Sequence, residues 1–147
     1  MDQASRLNYN GTRAVSAADM KFGVLIVDEY SDFVERHIGA MLDMLRRLGC
    51  LDNDIVVKQI PSLGDTVLGV QFFAEYTDVD GVLVVMPAEK LYANQALLGG
   101  IVHLQMQWNM PVCIGGSERA SDIVEMVALQ CEMEAAAPEQ GERPKFS

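Results

Sequence analysis

Short apolar runs alternate along this chain with longer segments in which apolar residues recur at helical spacing. The runs are predicted to be buried strands, because near-continuous apolar stretches are typical of a parallel sheet covered on both faces: residues 21–28, 54–60, 80–86 and 110–115. The segments between and after them are predicted helices: residues 31–48, 65–77, 91–108 and 119–134. This alternation predicts an α/β fold, a three-layer α/β/α sandwich with a four-stranded parallel sheet.

The ends of these elements carry recognisable signals. Ser31 is a plausible N-cap of the first helix, and Gly49 marks its end. Pro61 ends the second strand, because proline cannot continue a hydrogen-bonded ladder. Ligands of parallel α/β sheets bind at the carboxyl ends of the strands, so the candidate loops are residues 28–32, 61–65 and 87–90.

The chain of 147 residues fits one domain. We expect residues 21–135 to form it. Residues 1–20 are interpreted as an N-terminal extension outside the core, and residues 136–147, rich in Glu, Pro and Gly, as a flexible acidic tail.

The composition excludes several classes of function. A formal net charge of -10 without a basic stripe disfavours binding to nucleic acid or to anionic membranes. No apolar run is long enough to cross a bilayer, and residues 1–11 lack the pattern of a secretory signal, so we expect a cytoplasmic protein. The three cysteines are widely spaced without a CxxC pair and predict reduced, mostly buried thiols, with neither disulfides nor a metal site.

Several polar or unusual residues have a structural interpretation that competes with a functional one. His37 and His103 both fall in predicted helices rather than in strand-end loops, which favours a structural or interface role over catalysis. The pair Gly99-Gly100 inside a helix indicates close helix–helix packing. Asp28 and Glu29 form an acidic pair after the first strand, but Met86 and Pro87 stand where a phospho-accepting receiver domain needs an Asp.

Three stretches of the chain carry a family resemblance that spans roughly residues 21–133. They are residues 27–36 (VDEYSDFVER), residues 60–65 (IPSLGD) and residues 100–115 (GIVHLQMQWNMPVCIG). In this order and spacing they resemble the lumazine synthase family of riboflavin biosynthesis. The resemblance implies a lumazine-synthase-like fold with flavodoxin-like layering.

The resemblance also implies a ligand site. In that family, the aromatic residue after the first strand stacks on the pyrimidine ring, and a carboxylate after the proline turn binds the ribityl hydroxyls. The matching residues here are Tyr30 and Asp65. The full expected ligand-binding set is Tyr30, Ser31, Ser62, Leu63, Asp65, Met86 and Pro87. No cofactor is required, and the expected ligand is flavin-like or lumazine-like.

The chain departs from the family where the family binds phosphate. After the third strand the family has a long loop with Gly-Glu-Thr and then a His, whereas here Met86 runs directly into Pro87-Ala88-Glu89-Lys90. A second segment, with an Arg and Gly-Asn-Lys-Gly, is also missing, and only Ser117 and Arg119 lie near its place. Backbone donors and positive charge supply most phosphate affinity, so synthase activity is expected to be lost or altered.

An active enzyme is the alternative. Glu89 and Lys90 lie on a strand-end loop where acid–base groups could work, although a solvated pair is the competing interpretation. The candidate reactions are those of a lumazine synthase or of an archaeal riboflavin synthase, whose third strand also leads into a Met-Pro.

Family resemblance further implies a homo-oligomer, either a pentamer or a shell of pentamers. Residues 8–15 would then add a strand to a neighbouring subunit. The apolar residues of the third predicted helix would either face a subunit interface or be buried within their own subunit: Leu97, Ile101, Leu104 and Trp108.

Overall fold

The computed structural model describes residues 15–138, in which a parallel sheet carries helices on both faces. The strands are β1 (Phe22–Val27), β2 (Ile55–Ile60), β3 (Gly81–Val85) and β4 (Val112–Gly115). The helices are α1 (Ser31–Arg47), α2 (Thr66–Tyr76), α3 (Ala88–Tyr92), α4 (Gln95–Trp108) and α5 (Arg119–Ala136). The predicted α/β/α sandwich with a four-stranded parallel sheet is confirmed.

The strand order is β2-β1-β3-β4, and all three neighbouring pairs are parallel. Val27 at the end of β1 lies opposite Ile60 of β2, and Ile26 lies opposite Val85 of β3. The strands therefore end at one level, and the loops that follow them share the carboxyl edge of the sheet.

The side chains of the strands point alternately into two separate cores, one on each face of the sheet. Phe22 and Val24 face the core under α1 and α5, whereas Leu25 and Val27 face the core under α2 and α4. Each fully buried side chain of this size contributes about 1.5–3 kcal/mol relative to an exposed one. β1, β3 and β4 are buried on both faces, which explains why they lack polar alternation, whereas the edge strand β2, also predicted to be buried, is partly exposed.

The predicted helix over residues 91–108 is wrong as a single element. The segment forms two helices, α3 and α4, because Asn94 interrupts it and accepts a hydrogen bond from the Leu97 N–H at 3.1 Å. This side-chain cap starts a new helix. Residues 88–90, predicted as loop, belong to α3, which Pro87 precedes with φ -62°.

The first helix ends as predicted but begins differently. Gly49 adopts φ +110°, the left-handed conformation that favours glycine after a helix. Ser31 is not the N-cap but the first helical residue, and Tyr30 holds the cap position without a side-chain cap bond. The short 3-10 turn over Asp28–Tyr30 uses the residues between strand and helix and moves the cap back by one position.

The described part of the N-terminal extension, residues 15–20, packs on the core. Ala17 and Met20 are buried, and the Ala17 N–H donates to the Leu48 carbonyl at 2.7 Å. Burial of apolar side chains and pairing of the backbone hold this segment to the end of α1. The candidate added strand over residues 8–15 lies outside the described residues except for residue 15. The predicted tail lies outside them after residue 138.

The helix–helix packing predicted for the glycine pair applies to one of the two residues. A Cβ on Gly100 would lie 2.9 Å from a methyl group of Val67 on α2, whereas a Cβ on Gly99 would meet open space. Ile101 and Leu104 are buried within the subunit itself, while Trp108 remains 39% exposed. Only the exposed side of α4 is thus available to another subunit.

Two of the three thiols are buried. Burial raises the pKa of Cys50 and of Cys113 to about 11, so both thiols are protonated at neutral pH. Cys131 is exposed on α5, and the prediction of mostly buried thiols is confirmed. Within residues 15–138 no helix is long and apolar enough to cross a membrane.

Candidate functional site

A shallow hollow of about 260 Å³ opens at the carboxyl edge of the sheet. The loop after β1 and the first turn of α1 supply most of its wall, through residues 29–33 and Arg36. Pro87, from the loop after β3, closes it on the other side. The structure thus brings together three of the predicted site residues, Tyr30, Ser31 and Pro87.

Tyr30 supplies an aromatic surface to this hollow. Its side chain is half-buried and packs against the core that contains Val27 and Met86. Burial raises the pKa of Tyr30, and the negative charge of Glu29 adds to the effect. The phenol is therefore neutral at physiological pH and can stack on a planar ring or exchange hydrogen bonds.

The first turn of α1 adds charged groups to the hollow. Arg36 Nε donates to the Asp32 carbonyl at 3.2 Å, and the guanidinium lies 5.8 Å from the centre of the Phe33 ring. Asp32 and Glu29 contribute two carboxylates against this one cation. The wall is consequently richer in acceptors than in cationic donors, which suits a ligand that carries hydroxyl groups.

The loop after β2 is closed by its own side chains. Asp65 Oδ2 accepts hydrogen bonds from the Ser62 N–H at 3.1 Å and from Ser62 Oγ at 3.0 Å, which forms a capping box at the start of the 3-10 turn Leu63–Asp65. Neither Ser62 nor Asp65 lines the hollow. One oxygen of the predicted polyol acceptor is therefore used within its own turn.

Glu29 connects this turn to the Tyr30 loop. The Glu29 N–H donates to the Pro61 carbonyl at 3.0 Å, and the Leu63 N–H donates to Glu29 Oε1 at 2.8 Å. The predicted residues Ser62, Leu63 and Asp65 are in this way joined to the hollow through a residue outside the predicted set.

The third loop contributes less than predicted. Met86 is 0% exposed, since its side chain belongs to the core under α4, and it offers no surface to a ligand. Glu89 and Lys90 are exposed on α3. Neither side chain makes a hydrogen bond or ion pair within residues 15–138, so the structure does not bring them together with Tyr30.

The loop after β4 uses its backbone donors within the chain. The Gly116 N–H donates to Glu118 Oε1 at 3.1 Å, and the Ser117 N–H donates to His37 Nδ1 at 3.1 Å. A Cβ on Gly116 would lie 2.4 Å from His37 Nδ1. His37 also stacks on Phe33 with ring centres 4.3 Å apart. The histidine is thus part of the packing between α1 and this loop.

The cation nearest to this loop is also engaged. Arg119 Nη1 donates to Asp122 Oδ2 at 2.7 Å, a pair within the first turn of α5. The Arg119 Nε is buried, with no partner in the described part of the chain. One unpaired N–H therefore remains at a helix start whose other donors are largely occupied.

Sequence reasoning missed four residues of the hollow: Glu29, Asp32, Phe33 and Arg36. Two local signals were available. Asp32 and Arg36 stand at i and i+4 on a helix, the spacing of neighbouring side chains. The Ser-x-x-Asp pattern over residues 62–65 is a capping-box signature, which indicates that Asp65 serves its own turn. The contact of Glu29 with Leu63 joins two loops that are distant in sequence, so no local pattern predicts it.

No group of three or more His, Cys, Asp and Glu side chains in residues 15–138 could hold a metal ion. The hollow is consequently described by its aromatic, hydroxyl and charged groups alone.

Comparison with known proteins gives one distant relative. The chain is 22% identical over 113 residues to the 6,7-dimethyl-8-ribityllumazine synthase of Parabacteroides distasonis. The match covers 73% of this chain and 71% of that protein. No protein-family model matches the chain. The similarity agrees with the α/β layering and relates the chain distantly to a riboflavin-biosynthesis enzyme.

Proposed function

We propose that this chain is a cytoplasmic, lumazine-synthase-like subunit that binds a flavin-like or lumazine-like ligand and has lost the synthase reaction. The observation that carries the proposal is the hollow at the sheet edge, in which the half-buried Tyr30 ring lies beside the carboxylates of Glu29 and Asp32. A planar ring stacks on the tyrosine, and a ribityl chain donates a hydroxyl proton to the Asp32 carboxylate.

The charge of the hollow supports a ligand without phosphate. Two carboxylates and one guanidinium leave the wall with an excess of negative charge, and a phosphate dianion is repelled by it. The loop after β4 adds little, because Glu118 and His37 already take its backbone N–H groups. The single buried Nε of Arg119 does not replace a nest of donors.

An oligomer follows from the same proposal. In the described chain β2 pairs only with β1, so its outer edge is open. An apolar groove of about 420 Å³ runs beside it, with Phe72 and Tyr76 of α2 on its wall. We propose that this edge receives residues 8–15 of a neighbouring copy and that the assembly is a pentamer or a shell of pentamers.

The proposal is tested by titrating the purified protein with riboflavin and with flavin mononucleotide. Both have the same ring and differ in the terminal phosphate. We expect riboflavin to bind and the phosphorylated form to bind about tenfold more weakly, a difference of roughly 1.4 kcal/mol. The mass in solution, measured on the same sample, gives the number of subunits. Equal affinity for the two flavins would contradict the charge argument, and absence of riboflavin binding would contradict the ligand.

The alternative is an active enzyme, favoured by the free Glu89 and Lys90 side chains at the same edge of the sheet. Incubation of the protein with the aminopyrimidine and the butanone phosphate measures a lumazine synthase. Incubation with the lumazine alone measures a riboflavin synthase. We expect neither chromophore to form above the uncatalysed rate, and turnover in either assay would replace the proposed function with that reaction.

A further inference from the structure

Glu29 is held on both sides by the neighbouring loop. Its backbone N–H donates to the Pro61 carbonyl at 3.0 Å, and its carboxylate Oε1 accepts from the Leu63 N–H at 2.8 Å. Because Val27 and Ile60 are paired across β1 and β2, the two loops leave the sheet at the same level. One residue thus spans the gap between them.

Each of the two loops is ordered internally, but their mutual position depends on Glu29. The capping box of Ser62 and Asp65 closes the second loop on itself. Tyr30 ends the 3-10 turn Asp28–Tyr30 with φ -110° and ψ 43°, and no side-chain cap bond ties it to the start of α1. In the described chain, the two bonds of Glu29 are the only hydrogen bonds between residues 28–32 and 61–65.

We propose that Glu29 is a positioning residue that anchors the Tyr30 loop to the turn of residues 62–65 and thereby fixes the place of the Tyr30 ring in the hollow, where the ring of the ligand stacks. This inference rests on the proposed ligand site. A hydrogen bond to a charged acceptor contributes more than a neutral one, although exposure to water reduces the gain. The Oε1 atom is occupied by Leu63, and the carboxylate as a whole lines the hollow.

The charge of Glu29 has a second effect that distinguishes it from a purely structural link. Burial raises the pKa of Tyr30, and the Glu29 charge raises it further. Glutamine keeps an oxygen that can accept from Leu63 but removes the charge. Alanine removes both. The two variants therefore separate the hydrogen bond from the electrostatic effect.

The experiment compares Glu29→Ala, Glu29→Gln and the control Glu35→Ala, an exposed carboxylate on α1 outside the hollow. We expect Glu29→Ala to weaken riboflavin binding about tenfold and Glu29→Gln by no more than about threefold, with no change in the control. Amide exchange at Leu63, followed by NMR, should accelerate in the alanine variant and stay slow in the glutamine variant. Both variants should lower the pKa of Tyr30, which is measured by titrating the phenol. The Tyr30→Phe variant lacks this titration and so identifies its signal.

The outcomes separate this inference from the proposed function. If the wild-type protein does not bind riboflavin, the ligand proposal fails, while the Leu63 amide still tests the link. If riboflavin binds and Glu29→Ala binds it equally well, or if the Leu63 amide is unaffected, Glu29 does not position the site. Rescue of affinity by glutamine, together with a lowered pKa of Tyr30, supports positioning through the hydrogen bond.

Discussion

The two halves of the carboxyl edge of the sheet use their polar groups in opposite ways. In the open half, which comprises the loop after β1 and Pro87 of the loop after β3, the Tyr30 ring and the carboxylates of Glu29 and Asp32 line a hollow. In the closed half, which comprises β4 and the loop after it, the backbone donors are bonded to His37 and Glu118. The first half offers acceptors to a ligand, whereas the second half is closed by the chain itself.

This difference shows how one end of a parallel sheet can keep a binding surface while losing the groups that hold an anion. A polyol needs acceptors, and a phosphate needs donors and positive charge. Substitutions in either half test this difference, and the largest change in free energy is expected in the closed half.

Substitution of Gly116 by alanine should destabilise the protein by about 3 kcal/mol, because its Cβ would lie 2.4 Å from the His37 ring. Chemical denaturation measures the effect. Gly99→Ala is the matched control, since that Cβ meets open space on a helix and is expected to stabilise by roughly 0.5–1 kcal/mol. If Gly116→Ala were neutral, the closed half would be loosely packed and the contrast between the halves would disappear.

Replacement of Tyr30 by alanine should weaken riboflavin binding by roughly 1–3 kcal/mol, the range found for a base stacked on an aromatic side chain. Tyr30→Phe keeps the ring and is expected to retain most of the affinity. Tyr92→Ala serves as the control, because Tyr92 is exposed on α3 outside the hollow. Fluorescence titration of the flavin measures all three variants. Unchanged affinity in Tyr30→Ala would remove the open half from the site.

Alkaline pH should destabilise the closed half through Cys113 on β4. Burial raises the pKa of this thiol from 9.0 to about 11, so the fold favours the neutral protonated form. The stabilisation gained by keeping this thiol neutral is complete below about pH 9 and is lost as the pH rises towards about 11. The free energy of unfolding then falls by about 1–2 kcal/mol.

Denaturation curves across that pH window test the effect. Cys113→Ala should flatten the pH dependence, leaving the part due to Cys50, whose pKa is also raised to about 11. A wild-type stability that stays constant over this window would contradict the assignment.

The smallest effect is expected for Glu89→Ala and Lys90→Ala. Both side chains are exposed and make no hydrogen bond or ion pair within residues 15–138, so riboflavin affinity and stability should change by less than about 0.5 kcal/mol. Calorimetric titration and thermal melting measure the two quantities. A large loss of affinity in either variant would show that α3 takes part in the site.

The fold was predictable because β1, β3 and β4 are buried on both faces and are visible in the sequence as apolar runs. The run over β2 predicted a strand but not its exposure at the edge of the sheet. The start of α4 was not, since a side-chain cap at Asn94 outweighed an otherwise continuous helical pattern. Residues 15–20 were assigned to an extension because isolated apolar residues such as Ala17 and Met20 do not show a period. Burial of such residues depends on a neighbour distant in sequence.

The candidate site was predictable only where it follows strand ends. Tyr30 and Pro87 lie at the ends of β1 and β3 and were found by that rule. Met86 was expected at the surface, but the two-residue period of the strand continues into it and turns its side chain inward. The link from Glu29 to Leu63 joins residues that are 34 positions apart, and no local pattern in the chain encodes it.

The contact of Gly116 with His37 has a consequence for how this chain can change over generations. A side chain at position 116 would collide with the imidazole ring, so we expect a substitution there to be tolerated better after the residue at position 37 has become smaller. A smaller residue at position 37, in turn, leaves the Ser117 N–H without its acceptor. We therefore expect positions 37 and 116 to vary together among descendants of this chain. The order of the two substitutions determines whether the intermediate protein keeps its stability.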